Sequence, residues 1–140
     1  CYKAQGTRMK TGLLLITHGN VGRDMLDTVT EILGNCPLPA EAIAVHSGDD
    51  PDLLFEAASR LANKLDQGDG VLVLTDLYGS TPSNIATRLT GTHNRRVISG
   101  ANIPMLIRIF NYPELAMEGL CEKAINGAHD GIISTGKEAS

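Results

Sequence analysis

Short apolar runs alternate with longer amphipathic stretches along most of this chain. The apolar runs lie at residues 13–16, 42–45, 71–74 and 97–98. A run that is apolar at every position is typical of a strand buried on both faces, as in a parallel sheet. The pattern therefore predicts four parallel strands.

The stretches between these runs carry apolar residues at helical spacing. The predicted helices cover residues 22–34, 51–66, 82–89, 103–110 and 113–126. Pro51 follows two aspartates and is a favourable first helical position behind an acidic cap. A last apolar pair, Ile132-Ile133, predicts a short C-terminal fifth strand.

The alternation of strands and helices predicts the fold class. Right-handed crossovers between parallel strands place helices on both faces of a sheet. We therefore expect an α/β protein with a single doubly wound domain, built on a mostly parallel four-stranded sheet with the fifth strand at its end.

Length and composition fit one globular domain. The chain has 140 residues, of which 42% are hydrophobic and 20% charged. We expect the domain to span residues 9–135, with a C-terminal tail at 136–140. Residues 1–8 precede the first methionine and lack the apolar stretch of a signal peptide, so we expect them to be a leader or vector-derived sequence.

Charge and hydropathy exclude two classes of partner. The formal net charge is −4, so no basic face is expected to neutralise nucleic-acid phosphates. The longest apolar runs have four or five residues, whereas a membrane-spanning helix needs about 20. We therefore expect a cytoplasmic protein that binds no nucleic acid.

Two side chains are predicted to meet at the carboxyl edge of the sheet, where open α/β sheets bind ligands. His18 ends the first strand and Asp76 follows the third. If these strands are neighbours, their ends lie about 4.8 Å apart and the two side chains are able to share a hydrogen bond. The alternative interpretation is structural: His18 as a packing residue and Asp76 as a helix cap or turn former.

A histidine beside a carboxylate suits nucleophilic chemistry. Histidine with an ordinary pKa near 6.5 is mostly neutral at cytosolic pH, and a carboxylate that accepts from one ring nitrogen leaves the other free to attack. His46 also follows a strand, but residues 47–50 favour a turn there.

The segment Gly79-Ser80-Thr81-Pro82 offers hydroxyls and backbone N–H groups at a helix start, where anions are favoured. The same residue types are also ordinary helix-capping groups, which is the competing interpretation.

Three segments together resemble the mannose-family enzyme IIA domain of the bacterial phosphoenolpyruvate-dependent sugar phosphotransferase system. They are Leu14-Leu15-Ile16-Thr17-His18-Gly19, the segment from Thr75 to Asn84 (TDLYGSTPSN), and Gly100-Ala101-Asn102-Ile103-Pro104-Met105-Leu106. The middle segment is the most specific. Family members often have two consecutive glycines where Gly79-Ser80 stand, so the role of Ser80 stays open.

The resemblance implies a phosphotransferase function. His18 would accept a phosphoryl group from phospho-HPr on its Nε2 and pass it to an enzyme IIB partner, for sugar uptake or its regulation. Asp76 would orient His18, and Thr81 would supply the hydroxyl of the phosphoryl-binding loop. From the loop residues themselves, we expect Ser80 and Gly79 to bind the phosphoryl group as well.

The resemblance also implies partners and an assembly. No metal and no cofactor are expected, because the donor is already an activated phosphoamidate. We expect a homodimer in which the two chains exchange their C-terminal strands. We expect the protein to contact the membrane only through transporter subunits.

Three alternatives stay open. The phosphotransferase subunit of dihydroxyacetone kinase would use the same histidine chemistry. A tetrapyrrole metal chelatase similarly begins with a strand ending in His-Gly, and would use His18 as a metal ligand. A non-catalytic regulator would use phosphorylation to change partner binding.

Overall fold

Four strands and five helices alternate in a computed structural model, which describes residues 10–91 and 94–137. The elements are β1 (Gly12–His18), α1 (Val21–Leu33), β2 (Ala40–Val45), α2 (Pro51–Leu65), β3 (Val71–Thr75), α3 (Thr81–Arg88), a 3-10 turn (Leu89–Gly91), β4 (Arg95–Ser99), α4 (Ile103–Asn111) and α5 (Met117–Asp130). Residues 1–8, expected to be a leader, lie outside the described residues.

The sheet is parallel throughout and has the strand order β2-β1-β3-β4. Its two faces are covered by different helices. Leu13 and Leu15 pack in a core with α1, α4 and α5, whereas Leu14 and Ile16 pack with α2 and α3. Because successive side chains of a strand point to opposite faces, a β1 run that is apolar at every position buries both. The predicted doubly wound sheet is confirmed.

Polar side chains cap the first turns of α2 and α4. The side chain of Asp50 accepts a hydrogen bond from the backbone N–H of Asp52 at 2.9 Å, and Pro51 occupies the first turn of α2. Asn102 caps α4 in the same way, accepting from the backbone N–H of Met105 at 2.9 Å. Both caps satisfy N–H groups that a helix leaves without partners.

At the C-terminal end one predicted helix boundary is wrong, and the predicted fifth strand is not shown. The last helix begins at Met117 rather than at residue 113, because Tyr112 ends α4 and its carbonyl accepts from the backbone N–H of Leu115 in a turn at 3.3 Å. Within the described residues the sheet has no fifth strand. Ile132 and Ile133 follow α5 as irregular chain and are 76% and 77% exposed.

No helix within the described ranges combines the length and the apolar character that crossing a bilayer requires.

Gly70 and Gly79 allow a matched test of packing against backbone strain. Both have positive φ, +87° and +80°. A Cβ at Gly70 would overlap the carbonyl oxygen of Asn94, whereas a Cβ at Gly79 would meet nothing within 4 Å.

We expect Gly79→Ala to lower the free energy of unfolding by about 1 kcal/mol, since it pays only the left-handed backbone penalty. Gly70→Ala adds a backbone clash, and its total cost should reach about 3 kcal/mol. Urea unfolding followed by circular dichroism measures both. Equal losses for the two variants would contradict the predicted clash.

Candidate active site

The strand order places the ends of β1 and β3 side by side. β1 connects to β2 on one side and pairs with β3 on the other, so the order of the strands reverses between β1 and β3. His18 is the last residue of β1, and Asp76 directly follows β3. Both residues therefore lie at the carboxyl edge of the sheet where the strand order reverses, which is the position at which open α/β sheets bind ligands.

His18 gives two hydrogen bonds to one oxygen of Asp76. Its backbone N–H donates to Oδ2 at 3.1 Å, and its ring Nδ1 lies 2.9 Å from the same atom. A carboxylate only accepts, so Nδ1 carries the proton in this pair. Nε2 makes no hydrogen bond within the described residues, and the His18 side chain is 52% exposed. In the neutral ring this hydrogen bond selects the tautomer whose lone pair lies on Nε2.

Local backbone contacts hold His18 in place. The buried Thr17 accepts a hydrogen bond from the backbone N–H of Gly22 through Oγ1 at 2.7 Å. The backbone N–H of Gly19 donates to the carbonyl of Val45 at 2.9 Å, which extends the pairing of β1 with β2 beyond His18. The chain on both sides of His18 is therefore tied to the sheet or to α1.

The carboxyl group of Asp76 experiences opposing influences on its pKa. Burial, the largest single influence, raises the pKa, and Oδ1 is buried with no hydrogen-bond partner among the described residues. The hydrogen bonds from the ring and backbone of His18, and the one from its own backbone N–H, lower it. Together they outweigh burial, so the pKa of Asp76 lies below its ordinary value and the group is ionised at neutral pH.

The segment after Asp76 turns into the start of α3. Gly79 has a left-handed backbone, and Ser80 is the N-cap in an extended conformation. The hydroxyl of Ser80 donates to the carbonyl of Leu77 at 2.6 Å and makes no capping bond to the helix. The first N–H groups of α3 therefore have no side-chain partner from the cap, and such groups favour an anion.

A cleft of about 350 Å³ opens beside His18. Thr81 and Pro82 form one wall, and the turn from His46 to Asp49 forms the other. The structure thus brings His18 and Thr81 to one cavity, while the Ser80 hydroxyl is engaged within its own loop.

His46 belongs to the cleft although the sequence analysis favoured a turn role for it. The register of β1 and β2 pairs His18 with Val45, so His46 follows one residue beyond the pair, beside Gly19. The end-of-strand position was the available signal, but residue spacing alone does not reveal the register between two strands.

No three histidine, cysteine, aspartate or glutamate side chains are grouped so that they could hold a metal ion, within the described ranges 10–91 and 94–137.

Comparison with known proteins assigns the family. A family model described as the fructose IIA component of the phosphotransferase system (PTS), EIIA-man, matches residues 12–125. The chain belongs to this family and is a mannose-family IIA component of the PTS.

Individual relatives agree with this assignment. The mannose-specific EIIAB component of Escherichia coli K12 is 33% identical over 100 residues, which are 71% of this chain and 31% of the relative's length. The crystal structure of an EIIA component of Streptococcus agalactiae is similar with a TM-score of 0.79 and 26% identity, covering 89% of this chain and 96% of that one.

The mannose/sorbose-specific IIA subunit from Enterococcus faecalis shares the fold, with a TM-score of 0.81 and 23% identity over 94% of this chain and 99% of that one.

Replacing His18 should change the titration of Asp76. In His18→Ala the ring donor is lost while most of the burial remains, so the pKa of Asp76 should rise. A carboxyl group with a depressed folded-state pKa stabilises the fold above its unfolded pKa, and this stabilisation is lost as pH falls through the folded pKa. The variant should therefore lose less stability on acidification than the wild type.

Carboxyl ¹³C NMR titration of Asp76 measures the pKa, and urea unfolding at several pH values measures the linked stability. His129→Ala, an exposed histidine on α5, is the control and should leave the titration unchanged. An Asp76 pKa identical in wild type and His18→Ala would contradict the assignment of its cause.

Proposed function

We propose that this chain is a phosphoryl carrier in which His18 accepts a phosphoryl group from phospho-HPr and passes it to an enzyme IIB partner. The observation that supports this most directly is the pair formed by His18 and Asp76. Nδ1 is bound to the carboxylate at 2.9 Å, and Nε2 is left as the nucleophilic nitrogen on a half-exposed ring.

The transfer step requires little chemistry from the protein beyond alignment and charge compensation. The Nε2 lone pair of His18 attacks phosphorus, the new N–P bond forms, and the N–P bond to the histidine of HPr breaks. The Nδ1 proton stays in place, so the phosphorylated ring carries a positive charge. Asp76 then faces a cation, which strengthens the hydrogen bond it already makes.

The start of α3 is proposed to bind the phosphoryl oxygens. Thr81 contributes its hydroxyl and backbone N–H, and the helix N-terminus favours negative charge. Gly79 allows the turn that presents these groups. Ser80 is proposed to act through the backbone, because its hydroxyl hydrogen is used by the carbonyl of Leu77.

The proposed setting is the cytoplasm, with residues 9–135 as the functional domain and the membrane approached only through transporter subunits. The family match favours the phosphotransferase alternatives over a tetrapyrrole chelatase. The relay in sugar uptake or its regulation is the proposal that we put forward.

We further propose a homodimer in which the C-terminal segment of each chain pairs with its partner. Ile132 and Ile133 are exposed, and β4 is one of the two edge strands of the sheet. A groove of about 230 Å³ beside this edge is lined by Ile98, Ile125 and Ile132. A strand from a second copy would cover apolar surface and satisfy the open edge of β4.

Incubation with phosphoenolpyruvate, enzyme I and HPr should produce an acid-labile phosphoryl adduct on the wild-type protein. His18→Ala should show no adduct, because the nucleophile is lost. Asp76→Asn should be labelled more slowly, by about 100-fold, since the ring loses both its tautomer and its counter-charge.

His129→Ala is the control and should be labelled at the wild-type rate. The relay would be excluded by a wild type that stays unlabelled or by equal labelling of His18→Ala. Labelling without onward transfer to any IIB protein would instead favour the regulator alternative.

The double variant Ile132→Asp/Ile133→Asp should dissociate the proposed dimer, because two carboxylates cannot be buried against β4 without partners. Sedimentation equilibrium measures the mass. Leu53→Asp changes an exposed leucine on α2, at the opposite face of the sheet, and should leave the mass unchanged. A monomeric wild type at about 100 μM, a concentration at which even weak dimers form, would overturn the proposal.

A further inference from the structure

His46 lies beside Gly19, the residue after His18, and lines the same cleft as His18. Its Cε1 is 3.9 Å from the position that a Cβ on Gly19 would occupy, and Gly19 directly follows His18. Cε1 is bonded to both ring nitrogens, so a nitrogen of this ring stands at the same edge of the sheet as His18.

The imidazole of His46 is available for a ligand. Its backbone N–H donates to Oδ2 of Asp49 at 2.7 Å, which fixes the turn. The ring nitrogens make no hydrogen bond within the described residues, and the side chain is exposed into the cleft that it shares with His18 and Thr81.

The cleft has no lysine or arginine that could bind a negatively charged group, among the described residues that line it. Asp49 lines the cleft instead, and Asp76 stands behind His18. A phosphoryl group brings negative charge into this place. The α3 wall offers N–H and hydroxyl groups, and on the facing wall His46 is the ring that can donate to a phosphoryl oxygen.

We propose that His46 is a phosphoryl-binding residue: it donates a ring N–H to an oxygen of the phosphoryl group that His18 carries. The inference rests on the proposed function. No covalent bond forms or breaks at His46. Its hydrogen bond stabilises the phosphorylated protein from the wall opposite Thr81.

The phosphoryl equilibrium with HPr tests this proposal. The equilibrium constant between phospho-HPr and the phosphorylated protein depends on the stability of the free species and is independent of how the two proteins dock. In His46→Ala it should fall by about 3- to 10-fold, the effect of one solvent-accessible, charge-assisted hydrogen bond.

Matched variants separate the hydrogen bond from other effects. His46→Asn or His46→Gln should restore most of the constant, because a side-chain amide nitrogen can replace Nδ1 or Nε2 as a donor. His129→Ala should leave it unchanged. With ¹⁵N-labelled histidine, the ring resonances of His46 should shift when His18 is phosphorylated, and those of His129 should not.

The possible results distinguish the inference from the function it rests on. A labelled wild type with an unchanged equilibrium constant in His46→Ala would overturn the inference and leave the relay standing. A slower transfer rate with an unchanged constant would assign His46 to docking and would also overturn it. A wild type that takes up no phosphoryl group would overturn both.

Discussion

Two donors from His18 meet at a single oxygen of Asp76, and the geometry of the candidate site depends on that meeting. The backbone N–H fixes where the residue lies, and the ring Nδ1 fixes how the imidazole is turned. The partners are 58 positions apart in the chain. They meet because β1 and β3 are neighbours in a parallel sheet, whose carboxyl ends share one edge. The sheet topology is therefore the source of the chemical arrangement.

The same pair balances two opposing demands. A fully solvated carboxylate would cost nothing to ionise but would hold the ring weakly, whereas a fully buried one would tend to take up the proton itself. Asp76 lies between these limits: its side chain is 17% exposed, and the donors of His18 keep its pKa below the ordinary value despite burial. Because the carboxylate remains an acceptor, a neutral His18 ring holds its proton on Nδ1 and has its lone pair on Nε2. Substitutions that alter the burial of Asp76 should therefore act on His18 without touching it.

The sequence predicts the strands and most helix starts because apolar runs and capping residues are local signals. It also predicts that His18 and Asp76 lie close together, because open α/β sheets bind ligands at the carboxyl ends of their strands and because the segments resemble the family. It misplaces the start of α5, since Pro113 is compatible with a first helical turn and only the turn around Tyr112 decides otherwise. It leaves His46 aside because the register between β1 and β2 is a tertiary property. The irregular Ile132-Ile133 segment shows a further limit: an apolar pair predicts burial, yet both side chains are exposed in the part of the chain that the structure describes.

The two walls of the cleft come from different connections of the fold: one from the segment between β3 and α3, the other from the turn between β2 and α2. The two walls therefore offer different kinds of polar group. The α3 wall supplies backbone groups, which depend on helix geometry and a single left-handed glycine. The facing wall, between β2 and α2, supplies side chains from a turn fixed by the Asp49 bond to the backbone of His46. A substitution in that turn can change the polar groups that line the cleft without moving His18, which β1 and Asp76 hold independently. The position of His18 and the polarity of the cleft beside it are thus separate properties of this fold, set by different strands.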